Sequence, residues 1–191
     1  MFDSEILNII AYFYPEDTPF RRMLLQHSRQ VRNKALELLG DNKFKLDPSL
    51  VANGAMLHDI GIGRCKAEEI LCCDGAPYIA HGIIGGEMLR EYGKTHNLDM
   101  EFYARICERH TGSGLTRGDI IRQQLPLPES DYLPESPEEK LICLADKFYS
   151  KSGEMQEKEL PAIRKSMLKF GVDSLKRFDD LCATFDLEQT E

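Results

Sequence analysis

The sequence predicts an all-α fold, a single-domain helical bundle running over residues 1–191. Three observations predict it. Apolar residues recur three and four positions apart along most of the chain, which is the period of a half-buried helix. These runs are punctuated by Pro, Asp and Ser at their starts and by Gly at their ends. No segment alternates apolar and polar residues over a useful strand length. The composition agrees: 42% apolar and 29% charged residues describe a globular chain. Its 191 residues are enough for one domain with a sizeable core. No internal repeat or linker divides it.

Each element has its own warrant. Glu5 to Tyr14 carries an apolar face of Ile6, Ile9, Ile10 and Phe13, and Pro15 stops it. Asp17-Thr18-Pro19 starts a helix to Leu39, with Met23, Leu24, Val31, Ala35, Leu38 and Leu39 inward and Gly40 as the stop. His27 falls on that inward face. Asp47-Pro48 opens a helix that carries Leu50, Val51, Ala55 and Met56 into His58-Asp59, where Gly61 and Gly63 end it. Arg64 to Cys73 reads as loop and short helix. Pro77 leads a helix through Tyr92, with His81 early in it and Gly82, Gly85 and Gly86 following. A glycine inside a helix costs about 1 kcal/mol against Ala, so three imply close approach of another backbone or of a bound group. His96 lies in a polar turn and is expected on the surface. Asp99 caps a helix ending at His110. Arg117 to Gln124 gives a further turn or two, and Leu125 to Pro137 is an irregular Pro-rich loop. Ser136-Pro137-Glu138-Glu139 starts a helix that ends in Asp146. Glu159 to Phe185 gives one or two more.

Charge narrows the functions. A net charge of −8 argues against nucleic acid polymers and anionic membranes as partners. An anionic substrate would need local positive charge from a metal or a few Lys and Arg. The acidic start Met-Phe-Asp-Ser-Glu does not resemble a signal peptide, and no apolar run reaches membrane-spanning length. Six cysteines (Cys65, Cys72, Cys73, Cys107, Cys143, Cys182) include no C-x-x-C pair, and most lie among apolar helical neighbours. Reduced thiols in a cytoplasmic protein are the expectation.

The chemistry gathers around Leu57-His58-Asp59-Ile60-Gly61. A buried carboxylate is expensive unless it is paired or bound to a metal. His27, His58, His81 and His110 occupy core-facing or helix-terminal positions, and Asp59 and Asp146 follow apolar runs. Each placement alone has a mild structural explanation, but six inward polar groups together do not. A shared metal site removes the difficulty. Imidazoles with carboxylates suit Fe, Mn, Zn, Co or Ni rather than Ca or a thiolate zinc.

The ordered set His27, His58-Asp59, Asp146 resembles the H…HD…D pattern of the HD-domain metal-dependent phosphohydrolases, and His58-Asp59-Ile60-Gly61 matches their HDIG variant. The resemblance covers a motif-bearing core of about 22–151. It implies that His27, His58, Asp59 and Asp146 bind one metal within a helical bundle. Ala80-His81-Gly82 and Arg109-His110-Thr111-Gly112 are similar to segments that hold a second metal in the six-ligand branch, which includes diadenosine polyphosphate hydrolases. That implies two divalent transition-metal ions, Fe or Mn first, with Zn, Co or Ni as alternatives. The implied reaction is hydrolysis of a small nucleotide or related phosphate ester by a metal-bound hydroxide, with Asp59 bridging the ions. A sensor that binds metal and nucleotide without turnover, and a dinuclear-iron oxygenase, are the alternatives.

Two departures bear on substrate. Ile62 stands where many HDIG sequences carry Lys, and the Pro-rich loop before Asp146 is longer than the diadenosine branch would have. Lys147 is the candidate catalytic cation beside Asp146. Arg64, Lys66, Arg109, Thr111 and Arg117 are candidates for substrate binding, and Glu68, Glu69 and Asp74 for the general acid.

Overall fold

The computed structural model describes residues 3–41, 43–72 and 75–187. Helices dominate it. α1 (Asp3–Phe13), α2 (Pro19–Leu39) and α3 (Pro48–Leu57) come first. After a segment of short turns follow α4 (His81–His96), α5 (Glu101–Arg109), α6 (Arg117–Gln123) and α7 (Pro137–Asp146). α8 (Leu160–Leu168) and α9 (Val172–Thr184) complete the chain. The starts are those the sequence encodes. Thr18 accepts from the Arg21 N–H and Asp47 from Ser49 and Leu50, each with Pro next in line. Thr116 with Asp119, and Ser136 with Glu139, form reciprocal capping boxes.

One core runs through the bundle. α2 lies against α3 and α7, α4 against α5, and α9 against α7 and α8. Ile6, Ile9 and Ile10 of α1, Val31 and Ala35 of α2, and Leu141, Ile142 and Leu144 of α7 are all buried in it. α3 and α7, which end in the His-Asp and Asp motifs, sit deepest. Val51, Ala55 and Leu57 are fully enclosed, as are residues 141–145. Both motifs are therefore delivered to the interior rather than to a surface groove.

The connection from α3 to α4 departs from the sequence reading. The helix expected from Pro77 begins at His81. Ala76–Pro77 (β2) instead pairs in parallel with Cys65–Lys66 (β1), and Tyr78–Ala80 makes a single 3-10 turn. At its other end α4 runs past Tyr92 to His96, and Asn97 in the left-handed region (φ 54°) closes it. His96 is on the surface as expected, but its ring stacks on Tyr92 with centroids 3.9 Å apart. Cys65, Cys72, Cys107, Cys143 and Cys182 are buried thiols rather than disulfides, while Cys73 and Asp74 lie outside the described residues. Among the described residues no helix is long and apolar enough to cross a membrane.

The glycines of α4 explain themselves. A Cβ on Gly82 would lie 2.4 Å from the Cys107 carbonyl of α5. A Cβ on Gly61 would lie 2.2 Å from the His81 carbonyl and 2.4 Å from the Gly85 nitrogen. The His-Asp turn and the first turn of α4 thus meet backbone to backbone, which places His81 beside Asp59.

Candidate metal centre and substrate cavity

Six side chains from five elements converge: His27 from α2, His58 and Asp59 from the end of α3, His81 opening α4, His110 closing α5 and Asp146 closing α7. None is more than 5% exposed. They fall into two groups sharing Asp59. Donor atoms of His27, His58, Asp59 and Asp146 all lie within 4.8 Å of one another, and so do those of Asp59, His81 and His110.

The two oxygens of Asp59 divide between the groups. Oδ2 lies 3.2 Å from His27 Nε2 and 3.1 Å from His58 Nε2. Asp146 Oδ1 completes that set, 2.9 Å from His27 Nε2 and 3.4 Å from His58 Nε2. Asp59 Oδ1 faces the other way, 3.2 Å from His110 Nε2 and 3.5 Å from His81 Nε2.

The backbone sets the orientation of three imidazoles. His58 Nδ1 donates to the Ala55 carbonyl, His81 Nδ1 to Tyr78 and His110 Nδ1 to Cys107, each at 2.7 Å. A carbonyl only accepts, so the proton of each neutral ring is on Nδ1 and its Nε2 lone pair points to the centre. His81 Nε2 and His110 Nε2 then stand 3.0 Å apart as two lone pairs, with Asp59 Oδ1 beside them. Three acceptors without a proton among them repel unless a cation lies between. Burial, reinforced by His110, pushes His81 down to about 3, and burial also lowers His110. Both rings are thus neutral, as metal ligands must be. Burial works against a charged His58 too, but Asp59 and Asp146 outweigh it and hold that ring up at about 9, so a metal ion held by His58 would take the place of its Nε2 proton between the two carboxylates. Burial likewise opposes ionisation of Asp59 and Asp146. His58 and Lys151 outweigh it at the first, and Lys147 and Lys151 at the second, holding both carboxyls well below the usual range. Both Asp59 oxygens and His58 Nε2 are buried without a hydrogen bond of sound geometry. A donor set of this kind fits borderline divalent metal ions.

A family model for the HD domain matches residues 24–150. The chain belongs to the HD-domain family. An uncharacterised protein of Methanocaldococcus jannaschii is 36% identical to this HD domain over 126 residues, 64% of each chain. A tRNA (cytidine(56)-2'-O)-methyltransferase of Picrophilus torridus is 38% identical over 128 residues, 67% of this chain and 32% of that enzyme. The HD domain thus spans under two thirds of the first relative and about a third of the methyltransferase. The HD domain of the L. monocytogenes phosphodiesterase PgpH superposes with a TM-score of 0.47 at 17% identity, covering 95% of this chain and 97% of that one.

A cavity of about 470 Å³ opens onto the cluster, with His81, His110 and Asp146 in its lining. Among the sequence candidates, Thr111, Lys147 and Glu69 line it. Lys147 is already engaged: its Nζ lies 2.7 Å from Asp146 Oδ2 and donates to the His110 carbonyl at 3.0 Å. Arg64, Lys66, Arg109 and Arg117 are not brought to the cavity. Arg64 is exposed, and Lys66 faces Glu68 at 3.6 Å on the surface. Arg109 donates to the Leu133 carbonyl and pairs with Glu135, and Arg117 pairs with Glu129. Each is taken up by the loop that follows α6, which sequence spacing does not place.

Lys151 was not among the sequence candidates. It sits in the loop after α7, with Nζ 3.0 Å from Asp59 Oδ2 and 3.6 Å from Asp146 Oδ1. Lys158 anchors the same loop by donating to the carbonyls of Lys147 and Tyr149 at 3.2 Å each. The available signal was the density of lysines at 147, 151 and 158 just beyond a motif aspartate.

Proposed function

We propose that this HD domain is a phosphohydrolase of small phosphate esters, nucleotides among them, working with two divalent transition-metal ions. The carrying observation is the division of Asp59. Its Oδ2 with His27, His58 and Asp146 would hold one ion, and its Oδ1 with His81 and His110 the other. Fe or Mn suits this set first, and Zn, Co or Ni also fit. When bound, such ions neutralise phosphoryl oxygens and bring the pKa of water toward neutrality.

The chain's own groups complete the site. Lys151 lies where it can hold a phosphoryl oxygen presented to the cluster. Lys147 acts as a positioning residue, since its bonds tie Asp146 to the end of α5. Thr111, after His110, offers a hydroxyl on the cavity wall. Of the candidate acids Glu68 and Glu69, Glu69 is on the wall and would return a proton to the leaving oxygen, while Glu68 faces Lys66. The buried thiols support a reducing, cytoplasmic setting.

Elemental analysis joined to a phosphate-release panel tests the reading. The metal-loaded protein should release phosphate from small esters, and His58→Ala or Asp59→Ala should lose bound metal and activity together. Near-normal metal content in both variants would sink the assignment.

A further inference from the structure

The family match ends at residue 150, yet the cavity does not. One wall is built from α8 and α9: Ile163, Ser166 and Met167, then Phe170 in the turn between them, then Ser174 and Arg177. Ile163 and Met167 belong to the buried core, so this wall is fixed in place. Phe170 is 55% exposed although it lines the cavity, an unusual position for a large apolar ring. Arg177 gives one Nη to Asp119 at 2.7 Å, while its Nε is buried with no hydrogen-bond partner.

We propose that α8 and α9 decide what this enzyme takes, and that they select a phosphomonoester of mononucleotide size. The inference rests on the phosphohydrolase reading for the identity of the near end. There Lys151 reaches the cluster, while Lys147 and Lys158 are held by backbone carbonyls and Arg177 by Asp119. That supply of positive charge suits one phosphoryl group rather than a polyphosphate chain. On this wall Phe170, backed by the buried Met167 and Ile163, offers an apolar surface to a flat ring. A nucleobase has a face of this kind. A sugar phosphate has no flat aromatic face, and the cavity is of the size that takes one drug-sized molecule.

The chain has no tryptophan, so Phe170→Trp places a single reporter in the wall. The protein is loaded with Mn²⁺ and titrated with AMP and with inorganic phosphate. AMP should change the emission of Phe170→Trp, and phosphate should displace AMP without that change. Ser166→Phe, which fills the cavity from a half-buried position, should weaken AMP about tenfold by calorimetry, the scale of a lost apolar contact, and weaken phosphate far less. An emission that AMP does not move, or equal weakening of AMP and phosphate by Ser166→Phe, overturns the inference. So does a diadenosine polyphosphate that binds more tightly than AMP. Hydrolysis is read separately. AMP that meets the binding criteria but releases no phosphate removes the hydrolase reading and leaves this one standing. Ester hydrolysis without either binding effect does the reverse.

Discussion

Asp59 carries the greatest number of consequences for its size. Each oxygen faces a different set of imidazoles, so the two halves of the centre should be separable by mutation. His81→Ala or His110→Ala should lower bound metal from two ions per chain toward one, leaving the set of His27, His58, Asp59 and Asp146 loaded. Metal titration followed by elemental analysis reads this directly, and a wild type that never exceeds one ion per chain would contradict it. Lys151 separates binding from metal capture. Lys151→Met should keep its metal and lose catalytic efficiency by about 10²-fold, the usual scale for one removed charge stabiliser. A variant with wild-type kcat/KM would return Lys151 to a structural role. The sequence showed the six acid and imidazole positions because each ends or faces an amphipathic run. It did not show Lys151, because a lysine in a loop looks the same whether it points at solvent or at a buried carboxylate. Arg109 and Arg117 were misleading for the converse reason: their partners Glu135 and Glu129 lie on a loop whose path no local pattern describes.

Elements place these residues by packing their backbones unusually close. Gly61→Ala would drive a Cβ into the His81 carbonyl, and no flexible side chain is there to yield. Overpacking of this kind costs about 1–3 kcal/mol or more, so the variant should melt lower and bind metal more weakly through displacement of α4. An unchanged Tm would show that the turn and α4 can separate freely. The glycine spacing in the sequence predicted a close neighbour but not which one. The answer depends on β1 and β2, two residues each, which shift the start of α4 to His81. α6 and α9 are joined differently. Asp119 accepts from the Thr116 N–H and hydroxyl and meets Arg122 and Arg177. Burial opposes its ionisation, but these partners prevail and lower its pKa. The folded state therefore binds this proton less readily than the unfolded chain. The stabilisation is complete above the unfolded carboxyl value of about 3.9 and is lost as pH falls through the lower folded value. Asp119→Asn should cost about 1–3 kcal/mol at neutral pH, as for a severed buried charged hydrogen bond. Its deficit against the wild type should shrink in denaturant titrations as the pH falls below about 4. A deficit that is equal at neutral and strongly acidic pH would contradict this.

At the scale of the whole molecule, charge and enclosure act in the same direction. The chain carries 24 basic and 32 acidic residues, so its distant field repels polyanions. The positive groups near the centre are few and engaged at close range, and they lie inside the cavity rather than along a surface track. A nucleic acid polymer gains affinity by neutralising many phosphates in succession, which needs an extended basic surface. A small ester needs a single anchored phosphoryl group. Hydrolysis should therefore favour small phosphate esters over long RNA or DNA, and the preference should persist at low salt, where a basic track would bind polymers best. Parallel assays with AMP, a dinucleotide and single-stranded RNA at two ionic strengths decide the point. Equal kcat/KM for the polymer and the monomer would contradict both the charge argument and the enclosed cavity. Polymer cleavage that appears only at low salt would implicate a basic surface and contradict the enclosed site as the sole route to the metals.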